Sequence, residues 1–453
     1  MNQKRIKICI AGAGLAGLST AVFLKKNDAE NLFEIDLVES SPKLGGRAYS
    51  FVDRDSGLTL DNGQHILAGW YSATLEFLKI CNSQFQLNFQ KKLEINFYNT
   101  EKKYFKLSCP KIFSPLNLFI GILKFDALGL KDKLRFLKIR KLINREAYSP
   151  DYLKKINVSD LLFELKQTEN NIRYFWEPFL LAVFNCKTDE INADVFMNVL
   201  IEGFSGNGKS NLLIPDKDLN SLFINNAINF LSDNAVEIKL NKRIEEIFKN
   251  NQGNFNVKFN SGESNEYSIM INAASFFRLN EIKLNFECDL PKLKTSSIIS
   301  VHLIFKEYIP EEILKNNSFG MTGLIGTNTQ WIFKKSERHL SLVISGADFI
   351  EHNGKKLIDL DKEEIIKMCT NDLKNCLSGF DTLEISDSKV IKEKRATFIP
   401  NIDSINERKK CNSNIENYYF CGDWAETDLP STIEAAIRNG KKISEKILKN
   451  FYK

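Results

Sequence analysis

The chain has 453 residues, of which 43% are hydrophobic and 26% are charged. This composition excludes a disordered chain, and the length allows two or three domains. The net charge of +5, from 62 basic and 57 acidic residues, is too small and too dispersed to indicate a nucleic-acid partner.

The nine cysteines are odd in number and contain no C-x-x-C pair, so the sequence favours neither a disulfide framework nor a bound metal. The N-terminus is basic and then apolar, like a short signal peptide, but it runs directly into glycines that a ligand site would need. We therefore expect no cleavage. No apolar run is long enough to cross a membrane. These features predict a cytoplasmic protein.

The first predicted elements form a strand, a glycine-rich turn, a helix and a second strand. Residues 7–10 (KICI) predict a buried strand, and G-x-G-x-x-G follows at Gly12, Gly14 and Gly17. In that order the glycines permit a tight turn, a close approach of a pyrophosphate, and close packing of helix on strand. Glu39 ends the second strand, where a carboxylate accepts hydrogen bonds from a ribose and disfavours the 2′-phosphate of NADP.

The next segment, SPKLGGRAYSF, contains Gly45, Gly46 and Arg47. Residues 8–51 together resemble the FAD domain of the amine oxidase and phytoene desaturase superfamily. The resemblance implies FAD as cofactor, with Ala16, Gly45 and Gly46 among the residues that contact it. It also implies that Arg47 lies beside the pyrophosphate, a use that suits a guanidinium.

Residues 58–79 contain Asp61, Asn62, Gly63, Gln64 and His65 in succession. This block closely resembles the hydroxysqualene dehydroxylase family, also called squalene-associated FAD-dependent desaturases. Three further blocks agree, at 173–185 (RYFWEPFLLAVFN), 392–398 (KEKRATF) and 420–440 (FCGDWAETDLPSTIEAAIRNG). The resemblance covers essentially the whole chain and implies that Gly63, Gln64 and His65 meet the flavin.

The last block also has a physical interpretation. Gly422 and Asp423 follow a short apolar strand, the usual place for a ligand on an open α/β sheet. A helix is predicted from Ile433, with Ser431 or Thr432 as its cap. The resemblance implies that Asp423 hydrogen-bonds the ribitol chain, and that Thr432 and Ile433 bring the positive helix end to the flavin.

Residues 235–275 predict a strand, a three-stranded meander turning at Gly253 and Gly262, and a closing strand. The superfamily has the same arrangement, in which the backbone at Ile244 meets the adenine.

We therefore expect an α/β fold with a Rossmann-like FAD-binding domain of the glutathione-reductase type, assembled from separated segments, plus an α+β substrate domain. The expected FAD-binding segments are 1–65, 213–290 and 391–453. The expected substrate segments are 66–212 and 291–390.

Residues 203–210 (GFSGNGKS) match the P-loop pattern G-x-x-x-x-G-K-[ST]. A P-loop needs a strand before it and a helix after it. Here the spacing of Val195, Phe196 and Val199 predicts a helix before the glycines, and Pro215 would interrupt a helix after them. We expect a turn rather than an ATP site.

Residues 109–143 combine an apolar stretch with a basic helix. Such a pairing suits a surface that dips among acyl chains while lysines touch anionic headgroups, so the sequence predicts a peripheral membrane contact. A core helix with a solvated charged face is the alternative. The resemblance implies a hydrophobic isoprenoid substrate, which favours membrane association.

The implied reaction is reductive loss of an allylic hydroxyl, giving squalene and water. The hydroxyl must be protonated or hydrogen-bonded to leave, and His65 is the first candidate acid, with Asp61 as its partner. In the alternative, residues 61–63 only shape a turn and His65 hydrogen-bonds the flavin or backbone. Weaker candidates are Tyr71, Trp176 and Glu177, and no partners are evident for His302, His339 and His352.

Three other functions stay open. A carotenoid or phytoene-type desaturase would run the hydride transfer in the oxidising direction, and a flavin amine oxidase would need an aromatic cage. A non-catalytic FAD-binding or membrane-tethering protein would bind flavin without turnover. The sequence identifies no electron donor that reduces FAD.

Overall fold

The computed structural model describes residues 5–143, 148–204, 206, 208–314, 319–411, 414–425 and 428–452. Six sheets and the helices around them are assembled from these residues. Of the octamer 203–210, residues 205 and 207 lie outside this description.

A five-stranded parallel sheet lies at the centre of the expected cofactor domain. Its strands are, in spatial order, Glu237–Lys239, Phe33–Val38, Ile6–Ala11, Ile269–Asn272 and Tyr418–Phe420. Ile8 pairs with Ile269, and Asn272 pairs with Phe420. The sheet therefore joins the beginning, the middle and the end of the chain, as expected for a domain built from separated segments.

Helices Leu15–Asn27 and Ile433–Phe451 cover one face of this sheet. They cross closely at Gly440, where a Cβ would lie 2.3 Å from Ser19 Oγ and 2.8 Å from the carbonyl oxygen of Ala16. Only glycine permits this contact, which brings the two ends of the chain together. Helix Asn226–Asp233 packs on the same face.

The opposite face of the parallel sheet packs on a smaller four-stranded sheet. Its antiparallel strands Ile244–Lys249, Phe255–Phe259 and Ser264–Tyr267 form the predicted meander. Gly253 and Gly262 have φ angles of +86° and +81° at the two turns. The meander and its closing strand are confirmed. Lys283–Leu284 adds a short parallel fourth strand.

A seven-stranded sheet forms the centre of the other half. Its strands are, in spatial order, Ile385–Phe398, Thr295–Phe305, His339–Ser345, Trp331–Ser336, Met321–Ile325, Glu94–Asn99 and Tyr104–Ser108. One face packs on helix Lys362–Cys376. The first strand runs across the expected boundary at 390/391, so the two halves share a continuous strand there.

The other face of the seven-stranded sheet meets an apolar cluster that includes most of the helices between residues 116 and 204. These helices are Leu116–Leu123, Leu130–Phe136, Arg140–Ile143, Pro150–Leu153, Val158–Glu164, Glu169–Asn171, Glu177–Phe184 and Ala193–Phe204. Within the described ranges, no helix is long and apolar enough to cross a membrane.

Smaller elements complete the fold. Strands Ser50–Val52 and Thr59–Asp61 form one hairpin, and strands Glu351–His352 and Lys355–Lys356 form another. Strand Leu212–Pro215 pairs with Leu67–Ala68 and Leu87–Phe89. The remaining helices are Ser72–Ile80, Phe276–Leu279 and Ile402–Lys409.

The order of elements around residues 203–210 contradicts a P-loop. Helix Ala193–Phe204 precedes this segment and strand Leu212–Pro215 follows it. A P-loop has the reverse order, and among the described residues of this segment no helix begins after the glycines. Gly69 donates its N–H to the carbonyl oxygen of Asn211 at 2.8 Å, which ties the turn to the loop before helix Ser72–Ile80.

Candidate FAD site

The glycine turn after the first strand has the geometry that its spacing predicts. Gly12 has a φ of +104°, which favours glycine, and a Cβ on Gly17 would lie 1.9 Å from the Gly12 carbonyl oxygen. A Cβ on Gly14 would meet only the Cα of Gly46, at 3.8 Å. Gly12 and Gly17 are therefore required by the fold, whereas Gly14 leaves open space above the turn.

The helix that starts at Leu15 provides an anion site at this turn. Gly14 is its N-cap, and no side chain in the described part of the protein caps that end. The free N–H groups of a first helical turn, with the positive end of the helix dipole, suit a phosphate. Ala16, expected among the FAD contacts, is the second residue of the helix.

Gly45 and Gly46 form the opposite side of the open space. Their φ angles are +95° and +62°, and Gly45 donates its N–H to the Ala13 carbonyl oxygen at 2.9 Å. A Cβ on Gly46 would approach the Gly14 Cα to 3.2 Å. The two glycine segments therefore meet backbone to backbone without intervening side chains, which suits the close approach of a pyrophosphate.

Glu39 and Ile244 lie at the end of the site where the adenosine is expected. Glu39 accepts the N–H of Ala13 at 2.9 Å and that of Ser41 at 2.9 Å, so its carboxylate lies against the glycine turn. Ile244 is buried in a cluster with Ala11 and Val38, the last residues of the two neighbouring strands. Their contacts with ribose and adenine stay a prediction.

Arg47 connects the N-terminal and C-terminal parts of the site. Its Nη2 lies 2.6 Å from Asp423 Oδ1, and its Nη1 donates to the Ala396 carbonyl oxygen at 2.5 Å. The other oxygen of Asp423 accepts a hydrogen bond from Ser431. The sequence analysis predicted a cofactor contact for Arg47 and for Asp423 separately, but it did not predict the ion pair between them.

Hydrogen bonds of Thr432 and Glu434 fix the N-terminus of helix Ile433–Phe451. Thr432 is its N-cap and accepts the N–H of Ala435 at 3.1 Å, and Ile433 is the first helical residue. The buried carboxylate of Glu434 accepts the N–H of Thr74 at 2.9 Å and lies 3.0 Å from Arg438 Nη2. This carboxylate joins the N-termini of helices Ser72–Ile80 and Ile433–Phe451.

Asp61 anchors the loop that carries His65. Its carboxylate accepts hydrogen bonds from the Ser50 hydroxyl at 2.7 Å and the Gln64 amide at 3.2 Å, and Lys335 Nζ lies at 3.1 Å. Burial alone would raise the pKa of Asp61, but Lys335 and the hydrogen-bond donors outweigh it and hold this pKa below its usual value. Asp61 is therefore an ionised residue that shapes the loop.

His65 is partly buried and carries no charge at neutral pH. Burial lowers its pKa to about 4, aided by the charge of Arg47, while Asp61 acts in the opposite direction. No described side chain hydrogen-bonds the His65 ring. The expected His65–Asp61 pair is thus not a hydrogen-bonded one, because the oxygens of Asp61 are taken by Ser50, Gln64 and Lys335.

Asn62 and Asn185 hold three of the sequence blocks together. The Asn62 side chain donates to the Arg47 carbonyl oxygen at 3.0 Å. Asn185, in the left-handed region, donates to Thr397 Oγ1 at 3.0 Å and accepts the Gly346 N–H at 2.7 Å. Trp176 is buried and stacked on Phe136 at 5.2 Å, so it belongs to the core.

Sequence reasoning missed a pair of histidines, His302 and His339, near the loop that carries His65. His302 Nδ1 and His339 Nε2 lie 3.0 Å apart on neighbouring strands, and both rings are buried. Burial lowers the pKa of each ring to about 4. The only sequence signal was that both residues fall in apolar strands, where a histidine needs a polar partner.

The site combines two glycine segments that meet without side chains, an uncapped helix N-terminus and the Arg47–Asp423 pair. These features fit an elongated dinucleotide with a pyrophosphate. The part of the chain that the structure describes contains no cluster of metal-ligating side chains. Fold and site together define an FAD-binding flavoprotein oxidoreductase.

The comparison with protein families identifies the chain. Residues 15–448 match the model of the flavin containing amine oxidoreductases, and the protein belongs to this family. Hydroxysqualene dehydroxylases from Zymomonas mobilis and Sinorhizobium fredii are 25% and 23% identical to it, over 96% of this chain and 97% of each relative. The zeta-carotene desaturase of Zea mays is 23% identical, over 97% of this chain and 83% of that protein. The expected family resemblance is confirmed.

Solved structures confirm the fold. Cyclohexylamine oxidase from Brevibacterium oxydans superimposes with a TM-score of 0.71 at 14% identity, over 99% of this chain and all of that one. An oxidoreductase from Methanosarcina mazei has a TM-score of 0.71 at 16% identity, over 97% of this chain and all of that one. The expected Rossmann-like architecture is therefore correct, and the flavin-containing family to which the chain belongs confirms FAD as its cofactor.

Proposed function

We propose that the protein reductively removes the allylic hydroxyl of hydroxysqualene and releases squalene. The observation that carries this proposal is the match to hydroxysqualene dehydroxylases over nearly the full length of both chains. The four sequence blocks of that family also meet around one site, through the contacts of Arg47, Asn62, Asn185 and Glu434.

The surroundings of His65 support an apolar substrate. Directly after it, Ile66 and Ala68 pack on the apolar cluster formed by the helices and the seven-stranded sheet. Phe97, Trp331 and Phe333 belong to the same cluster. An isoprenoid chain would find apolar and aromatic partners there and polar groups only at the loop.

FAD bound in the site supplies a hydride from its reduced ring. Within the chain, His65 is the proposed group at the departing oxygen. Because its ring is neutral at pH 7, it retains one N–H, which hydrogen-bonds the hydroxyl without adding a charge. Asp61, Gln64 and Lys335 are hydrogen-bonded to one another and fix the loop that carries this ring.

Incubation of the anaerobically reduced protein with hydroxysqualene tests the proposal. Squalene, identified by mass spectrometry, should appear as the flavin absorbance returns. His65→Ala should slow this turnover by about 10²-fold with FAD retained, while the matched variant His352→Ala should leave it unchanged. A flavin that stays reduced, together with desaturation of phytoene by the oxidised protein, would instead support a carotenoid desaturase.

The membrane contact expected for residues 109–143 is part of this proposal, in a corrected form. Leu118 and Ile122 are buried in the core, so the stretch before the basic helix does not enter a membrane as a whole. Leu130 and Leu134, one turn apart on helix Leu130–Phe136, are 75% and 58% exposed, and Phe163 is 83% exposed.

Exposed apolar side chains beside Lys131 and Lys133 suit a membrane with anionic headgroups. Leu130→Glu/Leu134→Glu should abolish co-flotation with vesicles that contain phosphatidylglycerol. Val52→Glu, which replaces an equally exposed residue of the expected cofactor domain, should leave flotation unchanged. Equal flotation of both variants would refute this contact.

A further inference from the structure

One face of the seven-stranded sheet carries a row of buried polar atoms. Ser300 Oγ and Ser341 Oγ have no hydrogen-bond partner among the described residues, and the His302 ring, whose Nδ1 contacts His339, also faces the backbone of Asp61. All three residues are at most 1% exposed. Buried polar atoms in proteins nearly always bind a protein group or an ordered water. We therefore infer ordered water along this row.

The row extends from a buried position next to an exposed turn to the loop with His65. Ser300 and His302 are two residues apart on one strand, and Ser341 pairs with His302 on the next, so all three share a face. At the inner end, Ser300 Oγ lies 3.8 Å from the position that a Cβ on Gly63 would occupy. At the outer end, His302 contacts His339, which follows a turn of exposed residues.

We propose that His339, His302 and Ser300 form a path that conducts a proton from solvent to the substrate hydroxyl. The inference rests on the proposed function, since removal of a hydroxyl consumes one proton. The C–O bond breaks, and its electron pair stays on the oxygen. The hydride then bonds to the carbon in place of the hydroxyl, and the proton from the path converts the departing hydroxide into water. His339 then regains a proton from solvent.

Burial keeps both rings of the path in a form that can conduct a proton. Asp61, Lys335 and Asp53 are the charged groups whose fields reach the pair. Burial, aided by the charge of Lys335, lowers the pKa of His302 and of His339 to about 4 against the opposing effect of Asp61. Each neutral ring therefore has one N–H and one lone pair, so it can accept a proton on one nitrogen and release it from the other.

The first test needs no substrate. In holoenzyme labelled with ¹⁵N at its four histidines, the exchange of the His302 ring proton with water is measured by NMR. His339→Gln retains a hydrogen bond to His302 but cannot conduct a proton, so exchange should slow by at least about 10-fold. His352→Gln is the matched control and should show the wild-type rate. Equal exchange in all three proteins overturns the path.

The second test measures one turnover. Reduced holoenzyme is mixed with hydroxysqualene, and flavin reoxidation is followed in H₂O and D₂O. His339→Gln and the smaller change Ser300→Ala should slow reoxidation by about 10-fold or more, with a larger solvent isotope effect and unchanged FAD content. Wild-type reoxidation rates in both variants overturn the path. A wild-type protein that stays reduced refutes the proposed function instead, and the exchange experiment then still decides the path.

Discussion

Acidification from pH 7 to pH 5 should destabilise this protein through the His302–His339 pair. A histidine with a pKa of 6.5 when unfolded and about 4 when folded binds its proton mainly in the unfolded state over this range. Because the unfolded state binds more protons, the free energy of unfolding falls as the pH falls from about 6.5 towards 4. The loss is about 2 kcal/mol per ring between pH 7 and pH 5, and about 4 kcal/mol for the pair.

Urea unfolding, followed by the fluorescence of the four tryptophans, measures this effect at several pH values. The double variant His302→Gln/His339→Gln should lose about 4 kcal/mol less than the wild type between pH 7 and pH 5. Other titrating groups cancel in this comparison, among them Glu434, whose pKa is raised mainly by burial. His352→Gln serves as control and should follow the wild type.

An equally steep loss in the double variant and the wild type would refute the assignment. It would mean that the pair is not neutral in the folded protein, and the proton path would lose its physical basis as well.

Three further changes have outcomes that the structure makes specific. Gly14→Val should give a folded but colourless protein, because the space above Gly14 is open; full FAD content, read from the flavin absorbance, would show that the glycine turn is misassigned. Gly17→Val should fail to fold, since its Cβ would overlap the Gly12 carbonyl oxygen, and a normal circular dichroism spectrum and melting temperature would contradict this. Glu434→Gln should lower the free energy of unfolding by about 2 kcal/mol by weakening its charge-assisted bonds, and unchanged urea unfolding would mean that the Thr74 and Arg438 contacts contribute nothing.

The sequence alone was enough to predict the family, the cofactor and the strands of the FAD-binding region. Its signals there are local. Gly12 has a positive φ, and Gly17 lies where the nearby Gly12 carbonyl oxygen leaves no room for a Cβ. Alternating side chains at 244–272 predict the meander without reference to the rest of the chain. Likewise, the order of elements around residues 203–210 was enough to reject a P-loop before the fold was known.

Only the tertiary structure decided which polar groups meet. Arg47 and Asp423 are separated by 376 positions, and Thr74 and Glu434 by 360, so no periodicity links them. The same holds for His302 and His339, which become partners because two antiparallel strands place them side by side. A local sequence pattern reflects the contacts within one segment. A buried charge or imidazole ring also needs a polar partner, and that partner can come from a segment that is distant in sequence and adjacent only in the folded chain.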